Sequence, residues 1–78
     1  MNGFPSQKEV AALRVKCKPG TRVCLVSMDD PYSLLKPGSL GTVEAVDDIG
    51  TIHVNWDCGS YLGLVYGEDK YEIVAANS

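Results

Sequence analysis

Paired and clustered carboxylates are the groups in this sequence with the most obvious chemistry: Asp29-Asp30, Asp47-Asp48, Asp57 and Glu68-Asp69. Such groups hold hard cations or pass protons. A hard cation takes about six to eight oxygens converging from fixed spacings, and no Asp-x-Asp-x-Asp-Gly array is present. Aspartate is also a turn residue, because its carboxylate accepts from nearby backbone N–H groups. The spacing therefore predicts turn-forming aspartates and no metal site. His53 is the single histidine. It falls on the outward side of an alternating segment, with no nucleophile-elbow serine or cysteine nearby, and reads as a solvent-exposed strand residue. Cys17, Cys24 and Cys58 are odd in number and form no Cys-x-x-Cys pair. That predicts reduced thiols rather than a disulfide framework or a zinc site, with Cys58, in a turn, the one open to reaction or an intermolecular bridge. Gly59, Gly63 and Gly67 match neither phosphate-binding glycine signature. No catalytic residue, cofactor or metal is expected.

Recognition is what remains. Met28-Asp29-Asp30-Pro31-Tyr32 falls in a long loop, and loops on rigid scaffolds carry binding. Methionine adapts its shape to a partner, and tyrosine offers area together with a hydrogen bond. The candidate binding set is Met28, Asp29, Asp30, Pro31, Tyr32, Tyr61 and Tyr66, with Tyr32, Tyr61 and Tyr66 expected along one groove. A rival reading stays open, in which Met28 and Tyr32 fold back and plug one end of a small barrel.

The elements that must position these residues follow from periodicity. Ser6 and Glu9 form a capping box, each side chain serving a backbone N–H of the other. Val10, Leu13 and Cys17 then recur at helical spacing, Lys16 and Lys18 suit the C-terminal end of the dipole, and Pro19-Gly20 stops the helix. This narrow apolar stripe must pack on something, either the barrel or a second copy of the chain. After Gly20 the period becomes two. Thr21 to Val26, Leu40 to Val46, Thr51 to Trp56, Ser60 to Val65 and Tyr71 to Val74 read as strands. Between them stand a loop over Ser27 to Gly38, turns at Asp47-Asp48-Ile49-Gly50 and Asp57-Cys58-Gly59, and a helical turn or tight loop at Tyr66 to Lys70. Gly41 reads as a bulge or a close backbone approach. Alternation assigns Val23, Leu25, Val43, Ile52, Val54, Leu62, Leu64 and Ile73 to the core, with Trp56 on the same side.

The fold class expected is all-β: a five-stranded SH3-like barrel preceded by a short N-terminal α-helix. Residues 1–5 form a disordered or extended start, 6–18 the helix, 19–74 the barrel and 75–78 a tail. Seventy-eight residues make one small domain whose thin core gives each apolar side chain weight. At 45% apolar and 22% charged, the composition is globular,. No apolar run reaches a membrane span, and Met1-Asn2-Gly3-Phe4-Pro5 lacks the features of a secretory signal, which predicts a cytoplasmic setting.

The net charge of −3 is unevenly spread. Residues 1–20 carry Lys8, Arg14, Lys16 and Lys18 against Glu9, a net of +3; the remainder carries three cations against nine acids, a net of −6. An acidic body argues against nucleic acid, whose binding draws on cations. The basic helix is expected to be attracted by the acidic barrel.

Pro19-Gly20-Thr21-Arg22-Val23, the run Leu25-Val26-Ser27-Met28-Asp29-Asp30-Pro31-Tyr32, then Leu40-Gly41-Thr42-Val43, Gly50-Thr51-Ile52-His53-Val54-Asn55-Trp56-Asp57 and Gly67-Glu68-Asp69 resemble a small family of unknown function. That family occurs in bacteria of the Firmicutes type, their phages and their mobile elements. The resemblance spans about residues 19–74. Cys58 departs from it, standing where asparagine or aspartate is expected in the Trp-Asp-x-Gly turn. A weaker likeness, in the Gly-Thr-Val and Val-x-Trp-Asp stretches, runs to the mind-bomb/HERC type of SH3-like domain. The resemblance implies a barrel and a mobile-element context, and brings no activity.

The reading is a non-catalytic binding module for a protein or peptide, monomeric or dimeric through its helix. A second hypothesis is a phage or mobile-element effector that inhibits a host defence protein or sequesters a nucleotide signal. A third is a nucleic-acid contact through the basic helix.

Overall fold

A computed structural model describes residues 5–28 and 35–75. Helix α1, Gln7–Lys16, begins at Ser6 with the capping box in place. The Ser6 Oγ accepts from the Glu9 N–H at 3.2 Å, and Glu9 Oε1 accepts from the Ser6 N–H at 2.8 Å. The strands are β1 (Arg22–Ser27), β2 (Leu40–Val46), β3 (Ile52–Trp56), β4 (Tyr61–Leu64) and β5 (Lys70–Ala75). They form one antiparallel sheet in the order β4-β3-β2-β1-β5. The sheet is not closed, since β4 and β5 stand at its two ends with no ladder between them. Among the described residues no helix is long and apolar enough to cross a membrane.

Alternation does what period two demands. Val23 and Leu25, Val43, then Ile52, Val54 and Trp56, and Leu64 turn to one side and are buried. Leu62 and Ile73, expected inside, are only partly buried and pack on the cluster from its margin, because β4 and β5 are edge strands with a neighbour on one side alone. Trp56 is 1% exposed, and its Nε1–H donates to the Leu62 carbonyl at 3.0 Å, which satisfies the polar tip of a buried indole. Gly41 makes the close approach its position suggested: a Cβ there would stand 2.5 Å from Val54 Cγ1 and 2.8 Å from Trp56 Cε3. The register shift of β2 falls further on, between Val43 and Ala45.

Turn chemistry places the hairpins. Asp47 Oδ1 accepts from the N–H groups of Ile49 and Thr51, at 3.1 and 2.9 Å, while Gly50 takes a positive φ of 83°. Gly59 supplies a φ of 95° in the next turn.

Candidate functional site

The helix is fixed to the sheet by both apolar and charged contacts. Val10 and Cys17 are buried and Leu13 packs beside them. Arg14 donates from Nε to the Val46 carbonyl at 3.1 Å and from Nη2 to Asp48 at 2.8 Å. The attraction between basic helix and acidic body is thus a specific contact with the β2–β3 hairpin. Opposite the helix, Val65 to Asp69 make a tight turn: Asp69 Oδ2 accepts from the Val65 N–H at 2.8 Å, and the Val65 carbonyl accepts from Glu68 and Asp69.

Helix and turn leave an open cavity of about 210 Å³ between them. Leu13, Ile52 and Leu64 form its apolar floor, Tyr66 and Tyr71 its aromatic walls, and Lys16 stands at its rim. Each tyrosine is held. The Tyr66 hydroxyl donates to Glu9 Oε2 at 2.8 Å, so one glutamate caps the helix and anchors the far wall. The Tyr71 hydroxyl lies 3.5 Å from the buried Cys17 Sγ, and the Lys16 ammonium sits 5.5 Å from the centre of the Tyr71 ring.

The electrostatics keep these groups in one charge state near neutral pH. The Ser6 backbone N–H, followed by the Tyr66 hydroxyl, holds the Glu9 carboxyl below its usual value. Donating to that carboxylate pushes the Tyr66 phenol up, and burial, then the Cys17 contact, does the same for Tyr71. Both walls therefore stay neutral and able to donate.

The outward side of the sheet is different. Arg22, Thr42, Asn55 and Tyr61 follow one another across four strands by register. The Arg22 guanidinium donates to both Asp57 carboxylate oxygens, at 2.7 and 2.6 Å, and to Thr42 Oγ1 at 2.9 Å. The Arg22 hydrogen bonds hold the Asp57 carboxyl down. Tyr61 donates to Glu44 at 3.1 Å. His53, outward as alternation requires, is not simply solvated: its Nε2 lies 2.9 Å from Asp47 Oδ2. Burial works against ionised Asp47, but hydrogen bonds from His53, Thr51 and Ile49 together outweigh it and lower its pKa.

Of the candidate binding set, Asp29, Asp30, Pro31 and Tyr32 lie outside the described residues. Met28 is partly buried and packs on the core. Tyr61 and Tyr66 are not brought together by the contacts they make: one bonds to β2 on the outward face, the other to α1, and only Tyr66 lines the 210 Å³ cavity. Cys17, Cys24 and Cys58 are free thiols, Cys17 buried and Cys58 exposed. Among the described residues no cluster of three or more metal-ligating side chains occurs. Lys16, Tyr71 and Glu9 were missed as site residues. Glu9 meets Tyr66 across 57 positions of chain, and no local pattern signals such a contact.

A family model described as "Domain of unknown function (DUF4314)" matches residues 6–74. The chain belongs to that family. The matched region runs from the helix cap at Ser6 into β5, so it contains every residue of the cavity named above. No curated protein and no solved structure gives a match.

Proposed function

We propose that this chain is a non-catalytic binding module of SH3-like type that takes a protein or peptide ligand in the cavity between α1 and the Val65–Asp69 turn. The strand order supports the SH3-like reading. A meander from β1 to β4, with β5 returning beside β1, is the pairing such a barrel needs. The carrying observation is the cavity itself: an apolar floor with two aromatic walls whose polar tips are already fixed. Sites for drug-sized ligands enclose about 300–1,000 Å³, so 210 Å³ suits one side chain of a larger partner. A bacterial or mobile-element cytoplasm is the setting in keeping with the sequence signature.

Selection of a random peptide library on the immobilised protein tests the reading, with backbone amide NMR to map the recovered peptides. Leu13, Leu64, Tyr66 and Tyr71 are expected to shift. Peptides that shift only Arg22, Asn55 and Tyr61 would move the site to the outward face, where exposed tyrosine and arginine, both enriched at interfaces, favour that second reading. No enrichment over a charge-matched control protein would remove the binding-module proposal.

A further inference from the structure

The rim of the cavity has a charge arrangement that selects among peptides. Glu9 accepts from the Ser6 N–H and the Tyr66 hydroxyl, and Asp69 accepts from the Val65 N–H. Asp69, which lines the cavity, and Glu9, which holds its Tyr66 wall, are therefore both turned to donors of the chain itself. Lys16 is in the opposite position. Among the described residues it makes no ion pair; the pairs are Arg14 with Asp48, Arg22 with Asp57 and His53 with Asp47. Its ammonium is held over the Tyr71 ring, which leaves its N–H donors available to an incoming acceptor. Leu13, Ile52 and Leu64 line the same cavity.

An available cation beside an apolar floor that accommodates one side chain fits a group in which a carboxylate and an apolar side chain leave the same carbon. We infer that the cavity captures the C-terminal residue of a partner peptide, its apolar side chain on the Leu13–Ile52–Leu64 floor and its free carboxylate on Lys16. This rests on the peptide-binding reading above and narrows it. An internal residue brings only a neutral amide to Lys16 and forgoes the charge-assisted contact. Two features favour the chain end over an internal segment. A cavity of about 210 Å³ holds one residue rather than a run, and the helix stands on one side with the turn on the other, where an internal segment would need to leave the floor in both directions.

The test uses the peptide Gly-Ser-Gly-Leu, N-acetylated, as the free acid and as the C-terminal amide, titrated into the full chain and followed by amide NMR. The free acid is expected to shift Leu13, Leu64 and Tyr71 and to bind about fivefold or more tighter than the amide, a modest charge-assisted contribution at an exposed rim. Raising the ionic strength should narrow the gap. Lys16→Gln should erase the preference, while Lys16→Arg, which keeps the charge, should retain it. Both substitutions are at an exposed helix position, and an unperturbed amide spectrum confirms the fold. Equal affinity of acid and amide in the cavity would overturn the carboxylate inference and leave the peptide-binding reading standing. So would an acid preference that survives Lys16→Gln and disappears in Lys18→Gln. Failure of both peptides, with library peptides still mapping to the cavity, would also overturn the inference alone. Failure of both with no library enrichment would remove the broader reading as well.

Discussion

Tyr61 opens β4 and Tyr66 follows it, and each donates its hydroxyl to a glutamate, yet the two occupy unlike surroundings. Tyr61 is 58% exposed on the outward face, beside a row of polar residues bonded to one another. Tyr66 reaches the helix and walls a cavity with an apolar floor. The same hydroxyl–carboxylate contact stabilises a surface in one place and shapes a concavity in the other. The contact alone does not identify a site. What marks the Tyr66 side is apolar surface left unfilled next to fixed polar groups.

The severest way to break this comparison is to remove what both sides share. Trp56→Ala empties the buried indole site between the sheet and its contents and should cost about 3–5 kcal/mol, enough to unfold much of so small a domain in a urea titration. Retained stability would mean that the two regions do not depend on a common core. Gly41→Ala acts on the same place by overfilling. Its Cβ would meet Val54 and Trp56, both buried and unable to give way, and about 1–3 kcal/mol should be lost; a neutral result in thermal unfolding would show a core softer than its packing implies.

Ligand binding sharpens the comparison directly. Tyr66→Ala takes away a cavity wall and should weaken a cavity-binding peptide by about tenfold or more, as loss of an aromatic anchor does. Tyr61→Ala should leave the affinity within about twofold. The reverse ranking by calorimetry would place the site on the outward face. Tyr71→Phe is expected to be milder, about 0.5–1 kcal/mol of stability, because it removes one half-buried hydroxyl–thiol contact and keeps the wall.

The smallest effects belong to the exposed carboxylates. Glu9, Asp47 and Asp57 have pKa values lowered by folding from ordinary values of 4.5, 3.8 and 3.8. The unfolded chain therefore binds protons first on acidification. The stability these groups contribute is present above about pH 4.5 and is lost as the pH falls through their lowered values. Asp57→Asn should flatten part of that acid limb and change little at neutral pH, since the pair with Arg22 is exposed and screened. A large loss at pH 7 would show that the outward network carries more of the fold than its exposure allows.

Much of the architecture was legible along the chain. The capping box at Ser6 and Glu9, the Asp47–Gly50 turn and the alternation that buries Ile52, Val54 and Trp56 are all found, while the helix ends at Lys16 with Cys17 as its cap, short of the expected stop at Pro19-Gly20. Each is set by residues a few positions apart. Where neighbours in space mattered, the sequence was a weaker guide. Leu62 and Ile73 alternate as core residues do, but edge strands bury them only in part. His53 was correctly outward, and its partnership with Asp47 depended on how the hairpin folds over.

Local chemistry, then, determined which segments are helix, strand and turn, because caps, glycines and periodicity act within a few residues. Only the tertiary structure decided that the sheet stays open between β4 and β5, that α1 packs against the β2–β3 hairpin, and that Lys16, Tyr66 and Tyr71 converge on one cavity. Those contacts join positions tens of residues apart. Their pairing is set by which packing buries the most apolar surface while satisfying every buried polar group, a property of the whole chain that no short segment encodes.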